Sequence, residues 1–204
     1  MRSFRAERLA NWVENVLHFQ VEDAQREYAQ LASNYPIVLT REVNKAKAWH
    51  RQQARGSERY GLIVSSKASR LRPLAIDVKR KVDVVNWFLG ERDLITSSYY
   101  LEDSATEFDI QGLELDWTCV VWDGDMRYTE AGWTHHKFNT TSWSKINDEQ
   151  AQMYQENAYR VLLTRARQGM VICVPEGSKE DPTRDPKFYD GTYEYLKQLG
   201  VKEI

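Results

Sequence analysis

The fold class is decided by one segment near the carboxyl-terminal end of the chain, residues 157–175, which reads NAYRVLLTRARQGMVICVP. Its first part places apolar residues on one helical stripe, and we expect a helix over residues 147–167 that stops at Gly169. The run over residues 170–174 is wholly apolar and is followed by proline, which predicts a buried strand. A helix that leads directly into a buried strand is typical of an α/β fold.

Two basic residues, Arg165 and Arg167, lie in the last turn of this predicted helix. Cations at the carboxyl end of a helix complement its dipole and can simply face water. An arginine on a rigid helix beside a buried strand can instead be aimed at a phosphate, which it binds through two parallel hydrogen bonds. The segment alone leaves both interpretations open.

A second segment, residues 106–114 (TEFDIQGLE), precedes another apolar strand at residues 118–122. Elsewhere helical and apolar segments alternate, which favours βα units and a mostly parallel sheet with helices on both faces. The further predicted helices cover residues 2–19, 22–33, 42–55, 82–89 and 193–199, and the further strands cover residues 36–40 and 60–66.

The composition suits one globular α/β domain, since 42% of the 204 residues are hydrophobic. A net charge of −2 gives no bulk attraction to nucleic acid or membrane, so any contact with a polyanion needs a local patch. Cys119 and Cys173 fall inside predicted strands, which indicates buried thiols in a reducing compartment. No segment approaches the roughly 20 apolar residues of a membrane span, and we expect a cytoplasmic protein.

The two segments, in this order, resemble motifs V and VI of superfamily 1 helicases. In these enzymes a Gln-Gly-Leu-Glu turn precedes one strand, and a Leu-Thr-Arg-Ala helix precedes another. Further stretches resemble an uncharacterised bacterial family of helicase-like ATPases that is distantly akin to the Schlafen helicase domain. They are residues 2–5 (RSFR), 105–108 (ATEF), 111–117 (QGLELDW) and 157–167.

The resemblance implies a three-layer RecA-like domain over residues 1–204. Residues 124–146 have no clear period but contain several aromatic residues, which predicts an ordered insertion, and residues 176–204 are expected to form a tail that ends in a helix. It also implies that the chain is the second of two such domains and a fragment of a larger protein. The sequence has no P-loop: GSERYG at residues 56–61 has the glycine spacing but lacks the following Lys-Ser or Lys-Thr, and it precedes a strand. ATP with Mg would therefore be held by an N-terminal RecA-like domain, the expected partner.

The resemblance assigns roles to individual residues around that nucleotide. Arg165 matches the motif VI arginine that reaches the γ-phosphate, and Arg2 matches the motif IV arginine with the same target. Gly112 matches the motif V glycine that lets the backbone approach the phosphates, and Glu114 matches the glutamate that accepts from a ribose hydroxyl. Gln111 occupies the neighbouring position of the same turn.

A second set of residues is expected to contact single-stranded DNA or RNA. Thr106 matches a motif V threonine that touches the nucleic-acid backbone, and Ser65 and Ser66 end a strand facing the same way. Arg70 belongs to a basic segment, residues 67–81, that follows the carboxyl end of a predicted strand, where α/β sheets bind ligands. A solvated loop and ordinary turn-forming roles are the alternatives for these residues.

The assignments together predict one spatial arrangement. The turn at residues 111–114 and Arg165 should converge at the carboxyl edge of a single parallel sheet and leave an open half of a cleft. Arg165 placed far from Gly112, in the interior or at the opposite edge would contradict this prediction.

Other functions are open but have weaker support in the sequence. His135 and His136, with Asp123 and Asp125 nearby, lack a third ligand at a recognisable spacing, and we expect no metal site. The tail carboxylates Asp181, Asp185 and Asp190 could serve a nuclease but are more typical of turns and caps. The main alternative is a non-catalytic α/β module that binds protein or nucleic acid without ATP chemistry.

Overall fold

The computed structural model describes the backbone of residues 2–204 and the side chains of residues 4–204. Its helices are α1 (Arg2–Leu17), α2 (Val21–Leu31), α3 (Val43–Gln53), α4 (Val84–Leu89), α5 (Glu149–Leu163) and α6 (Asp190–Gln198). Its strands are β1 (Ile37–Thr40), β2 (Tyr60–Val64), β3 (Ser104–Thr106), β4 (Leu115–Val121), β5 (Met126–Thr129), β6 (Gly132–Asn139), β7 (Ser142–Lys145), β8 (Ala166–Cys173) and β9 (Lys202–Glu203).

The centre of the molecule is a six-stranded sheet in the order β3-β2-β4-β8-β1-β9, in which every neighbouring pair is parallel. Most residues of its inner strands are buried because both faces of these strands are covered, as in other parallel sheets. Cys119 in β4 and Cys173 in β8 are buried free thiols, as predicted. The α/β class with a mostly parallel sheet is confirmed.

Helices cover the sheet on both faces and create two apolar cores. One face packs on α1, α2, α5 and α6 around large side chains such as Trp12, Trp122 and Tyr159. The other packs on α3 and the segment after β2, around Leu62, Cys119 and Val171. The three layers are those of a RecA-like domain.

The end of α5 differs from the prediction. The helix stops at Leu163: the Thr164 amide turns to the Val161 carbonyl, the Thr164 hydroxyl takes the Arg160 carbonyl, and the chain then joins β8 at Ala166. Gly169 is therefore not a helix stop but lies inside β8. A Cβ atom there would lie 2.6 Å from the carbonyl oxygen of Pro36 and 2.8 Å from the Trp117 ring, so close packing requires glycine.

The predicted insertion at residues 124–146 is a second, antiparallel sheet in the order β5-β6-β7. Successive residues of a strand point to opposite faces, so His135 is buried beside Glu156 while His136 faces the other way. The two histidines cannot share a ligand. In the described part of the chain, we find no group of three or more His, Cys, Asp or Glu side chains arranged to hold a metal ion.

The tail over residues 176–204 contains the predicted helix, here α6, and a strand that the sequence did not reveal. Strand β9 adds to the edge of the sheet beside β1, and α6 contributes Tyr195, Leu196 and Leu199 to the larger core. The tail is therefore an integral part of the fold. Among the residues that the structure describes, no helix has the length and apolar character needed to cross a membrane.

Candidate functional site

The two motifs meet, but at the amino edge of the sheet. The turn at residues 111–114 lies immediately before β4, and Arg165 lies immediately before β8. The strands are parallel neighbours with Leu115 opposite Ala166, and the Leu115 amide donates to the Arg165 carbonyl over 3.1 Å. The turn and Arg165 are therefore neighbours, but they lie at the opposite edge from the one predicted, and this contradicts the predicted arrangement at the carboxyl edge. Since both motifs precede their strands, they can only lie where those strands begin.

The turn before β4 leaves space for a ligand to approach the backbone. Gly112 has φ +82°, a left-handed conformation that favours glycine, and a Cβ atom there would meet nothing within 4 Å. Gly112 and Gln111 are both exposed. The open surface beside Gly112 fits the predicted approach of a phosphate or sugar to the chain.

Arg165 is half-buried and its guanidinium is not paired within the described part of the chain. Its Nε is shielded from solvent and has no hydrogen-bond partner there. A buried donor without an acceptor is costly, and it marks a position where an acceptor from outside would be stabilising. The cation lies at the start of β8 and not on the helix, so its position is fixed by the sheet.

Glu114 and Arg167 form an ion pair across the same edge. The Nε of Arg167 donates to a carboxylate oxygen of Glu114 over 2.9 Å, and both side chains are about half exposed. The pair links the start of β4 to the start of β8. A ribose hydroxyl bound by Glu114 would share this carboxylate with Arg167.

The beginning of α1 adds a basic residue that the sequence analysis did not single out. Arg5 and Tyr35 line the same cavity, and the charge of Arg5 opposes the rise that burial causes in the pKa of the Tyr35 phenol. The Tyr35 hydroxyl in turn donates to the carbonyl of Ala166 over 3.0 Å. Arg5 is thus brought towards the start of β8. The side chain of Arg2, the predicted motif IV residue, lies outside the described residues.

The residues predicted to contact nucleic acid lie together at the carboxyl edge, and each makes internal hydrogen bonds. The Ser66 amide and hydroxyl both donate to Glu107, and the Ser65 hydroxyl donates to buried Asp125. The Thr106 amide and hydroxyl donate to Asp109, which closes the turn after β3. Thr106 thus has the turn-forming role that was the alternative, whereas Ser65 and Ser66 bind carboxylates that are distant in sequence.

Arg70 is also held by its own chain. Its guanidinium donates to Thr183 over 2.8 Å and to Asp181 over 3.0 Å. It lies over the Phe138 ring, with 5.3 Å between the guanidinium carbon and the ring centroid. Arg70 therefore joins the carboxyl edge to the antiparallel sheet and the tail.

The tail carboxylates mostly serve the local backbone, as predicted. Asp181 accepts from the Thr183 amide and Asp185 accepts from the Lys187 amide, each capping a short 3₁₀ turn. Asp190 instead pairs with Arg41 over 2.7 Å. These interactions give the nuclease alternative no support.

The carboxyl edge also contains a buried polar network that the sequence analysis did not predict. Asp123 and Asp125 come shortly after β4, and both are fully buried. The Tyr189 hydroxyl donates to Asp123, and the Tyr159 hydroxyl donates to Asp125. Their place after an apolar strand was the available signal, but sequence spacing could not show that they are buried.

One comparison with known proteins gives a family. The family model described as Schlafen group 3, DNA/RNA helicase domain, matches residues 1–176 of the chain. A search of curated proteins found no match. The matched range contains both motifs, the amino-edge residues and the first eight strands of the fold. The chain therefore belongs to the Schlafen group 3 DNA/RNA helicase domain family.

Proposed function

We propose that this chain is the second RecA-like motor domain of a superfamily 1 helicase-like ATPase. Its amino edge would close over ATP and Mg held by an N-terminal RecA-like domain. The observation that carries the proposal is the unpaired, half-buried guanidinium of Arg165 beside the open Gly112 turn. Family membership and the α/β fold support the same conclusion.

The residues of the amino edge fit a nucleotide in complementary ways. The nucleotide supplies the phosphoryl group that is transferred. Arg165 would stabilise negative charge on the phosphoryl oxygens, the role for which an arginine finger contributes about 10³–10⁵ in rate. The Gly112 turn offers backbone without a side chain in the way, and Glu114 offers an acceptor for a ribose hydroxyl. Arg2 and Arg5 at the start of α1 are the further candidate cations.

Steady-state ATP hydrolysis by the longer protein that contains this domain and a P-loop domain tests the proposal. Arg165→Ala should reduce kcat by about 10³-fold or more while leaving KM for ATP within a few-fold. Arg165→Lys should restore little, because a lysine cannot reproduce the bidentate geometry. Arg72→Ala is the matched control, since Arg72 is a mostly exposed arginine at the opposite edge.

A kcat for Arg165→Ala equal to that of Arg72→Ala would contradict the proposal. Hydrolysis by the present chain alone, abolished by Arg165→Ala, would also contradict it, because the phosphates would then be held without a second domain. No hydrolysis by the longer protein in any form would favour the non-catalytic binding module.

The proposed partners are the N-terminal RecA-like domain and single-stranded DNA or RNA. Closure and opening of the cleft between the two domains during ATP hydrolysis would move them along the single-stranded nucleic acid. Because Ser65, Ser66, Thr106 and Arg70 are all engaged internally, direct contacts by their side chains would require local rearrangement. Without such a rearrangement, nucleic acid would have to bind to other groups on the surface.

A further inference from the structure

The antiparallel sheet presents one buried face and one face that is open to solvent. Met126 and His135 point into the protein and are buried. The residues that alternate with them, together with their partners across the strands, form what we call the outer face. The outer face consists of Arg127, Thr134, His136, Phe138, Trp143 and Lys145.

The outer face concentrates basic side chains without acidic neighbours on its own strands. His136 lies directly opposite Lys145, and Arg127 is adjacent. Burial and the positive charges of Arg127, His135 and Lys145 lower the pKa of His136 to about 4, so this ring is a neutral hydrogen-bonding group at neutral pH. Of the strand residues described on this face, none is Asp or Glu.

The nearest carboxylates in the tail have partners of their own. Asp181 binds Arg70 over 3.0 Å, and Asp185 binds Lys187 over 3.0 Å. Arg127 is half-buried: its Nε donates to the Gly124 carbonyl over 2.7 Å, and buried Asp123 and Asp125, with Asp185 in the tail, partly balance its charge. Lys145, by contrast, is exposed and makes no ion pair among the described residues, so its ammonium group can be reached by an anion.

Aromatic rings are interleaved with these cations. The Arg127 guanidinium lies 3.6 Å from the centroid of the Phe188 ring and 5.3 Å from that of Trp143. The indole nitrogen of Trp143 donates to the Thr183 carbonyl over 2.8 Å, which fixes the orientation of a ring that remains partly exposed. Phe138 meets the same ring edge-on at 5.2 Å.

These groups line a cleft of about 480 Å³ between the antiparallel sheet and the tail. The volume lies within the range of about 300–1,000 Å³ that is usual for ligand clefts. One wall comes from Arg127, His136, Trp143 and Lys145. The other comes from Thr183 and Phe188, which lie beyond the region matched by the family model.

We propose that this cleft binds single-stranded nucleic acid, with phosphates on Lys145 and Arg127 and a base stacked on Trp143. A basic groove with a fixed aromatic ring is the arrangement by which proteins hold unpaired strands, since stacking requires an exposed base face. An acidic peptide would use the cations but not the ring. The inference rests on the proposed function, which places single-stranded nucleic acid on this domain. It adds the position at which the nucleic acid binds, and this binding does not depend on ATP.

Fluorescence anisotropy of a labelled oligothymidylate with the present chain tests the cleft. Lys145→Ala should weaken binding and reduce the magnitude of the slope of log K against log salt by about 0.7, the share of one phosphate contact on a single strand. Lys137→Ala is the matched control, because Lys137 is an exposed lysine on the same sheet. It is adjacent to His136 along β6, so its side chain lies on the opposite face of the sheet. It should bind like the unaltered chain.

A second pair of variants tests the stacking. Trp143→Ala should weaken binding by about fivefold to a hundredfold, the range of one base–aromatic contact, whereas Trp143→Phe should retain most of the affinity. The Lys145 and Lys137 pair remains decisive if Trp143→Ala fails to fold, since both lysines are exposed. A duplex of the same length should bind more weakly than the single strand.

Equal loss of binding in Lys145→Ala and Lys137→Ala, or no loss in either, would overturn the inference. So would equal affinity for the duplex, or displacement of the oligonucleotide by polyglutamate at the same concentration of charge. Arg165→Ala should leave this binding unchanged. The proposal for the cleft can therefore be disproved while the proposed ATPase role of Arg165 stands. Likewise, the role of Arg165 can be disproved while the proposal for the cleft stands.

Discussion

Asp125 has an unusual environment for a carboxylate. It has no exposed surface and accepts hydrogen bonds from Ser65, Gln155 and Tyr159. Burial, and then the negative charge of Asp123, raises the pKa of Asp125 to about 7. The folded protein therefore binds this proton more tightly than the unfolded chain, whose aspartate pKa is about 3.9. As a result, Asp125 makes the folded state less stable as the pH rises from about 4 to about 7.

We predict that Asp125→Asn removes this dependence. The free energy of unfolding of the variant, relative to that of the unaltered protein, should rise between about pH 5 and pH 7 by up to about 1.4 kcal/mol per pH unit. Urea unfolding at a series of pH values measures it. The altered hydrogen bonds of the introduced amide would change the free energy of unfolding by the same amount at every pH, so they do not affect this comparison. A difference that does not change with pH would show that the carboxylate keeps an ordinary pKa in the folded protein.

At the level of the elements, the sequence predicted most helices and the inner strands but placed some of their ends wrongly. Hydrophobic periodicity identified α5 and the strand after it, yet it could not show that Thr164 closes the helix. It also could not distinguish a helix-stopping glycine from Gly169, which is required by close packing against Pro36 and Trp117. The two-residue strand β9 is too short and too polar to have a period.

The convergence of the two motifs was predictable because each precedes a strand, and strands of a parallel sheet begin at one edge. The same reasoning identifies that edge as the amino edge, which the sequence analysis missed. Long-range partners were not predictable, because nothing in the spacing along the chain links Arg70 to Asp181 or Trp143 to Thr183. The cleft on the outer face depends on such contacts.

The tail stabilises the whole fold, although it lies beyond the matched region. Leu196 on α6 has no exposed surface and packs in the larger core. We predict that Leu196→Ala lowers the free energy of unfolding by about 2–5 kcal/mol, because it leaves a cavity. Glu194→Ala, an exposed position on the same helix, should change it by less than about 0.5 kcal/mol. Equal effects on chemical unfolding would show that α6 is not packed as described.

Considered as a whole, the molecule has two ends for which we propose functions. The amino edge of the sheet carries Arg165, the Gly112 turn and the Glu114–Arg167 pair, and we assign it to the nucleotide. The outer face of the antiparallel sheet lies towards the carboxyl edge, where Arg70 connects it to the sheet, and we assign it to the strand. If both proposals hold, the two sites lie at different ends of the domain, and closure on ATP could be transmitted to the bound nucleic acid.

The most direct test is a crystal structure of the longer, two-domain protein with ADP, Mg and a planar fluoride mimic of the transferring phosphoryl group. We predict that the amino edge of this domain faces the nucleotide, with the Arg165 guanidinium about 2.7–2.9 Å from the mimic. A structure in which the carboxyl edge faces the nucleotide, or in which Arg165 points away from the closed interface, would rule out the proposed role of Arg165.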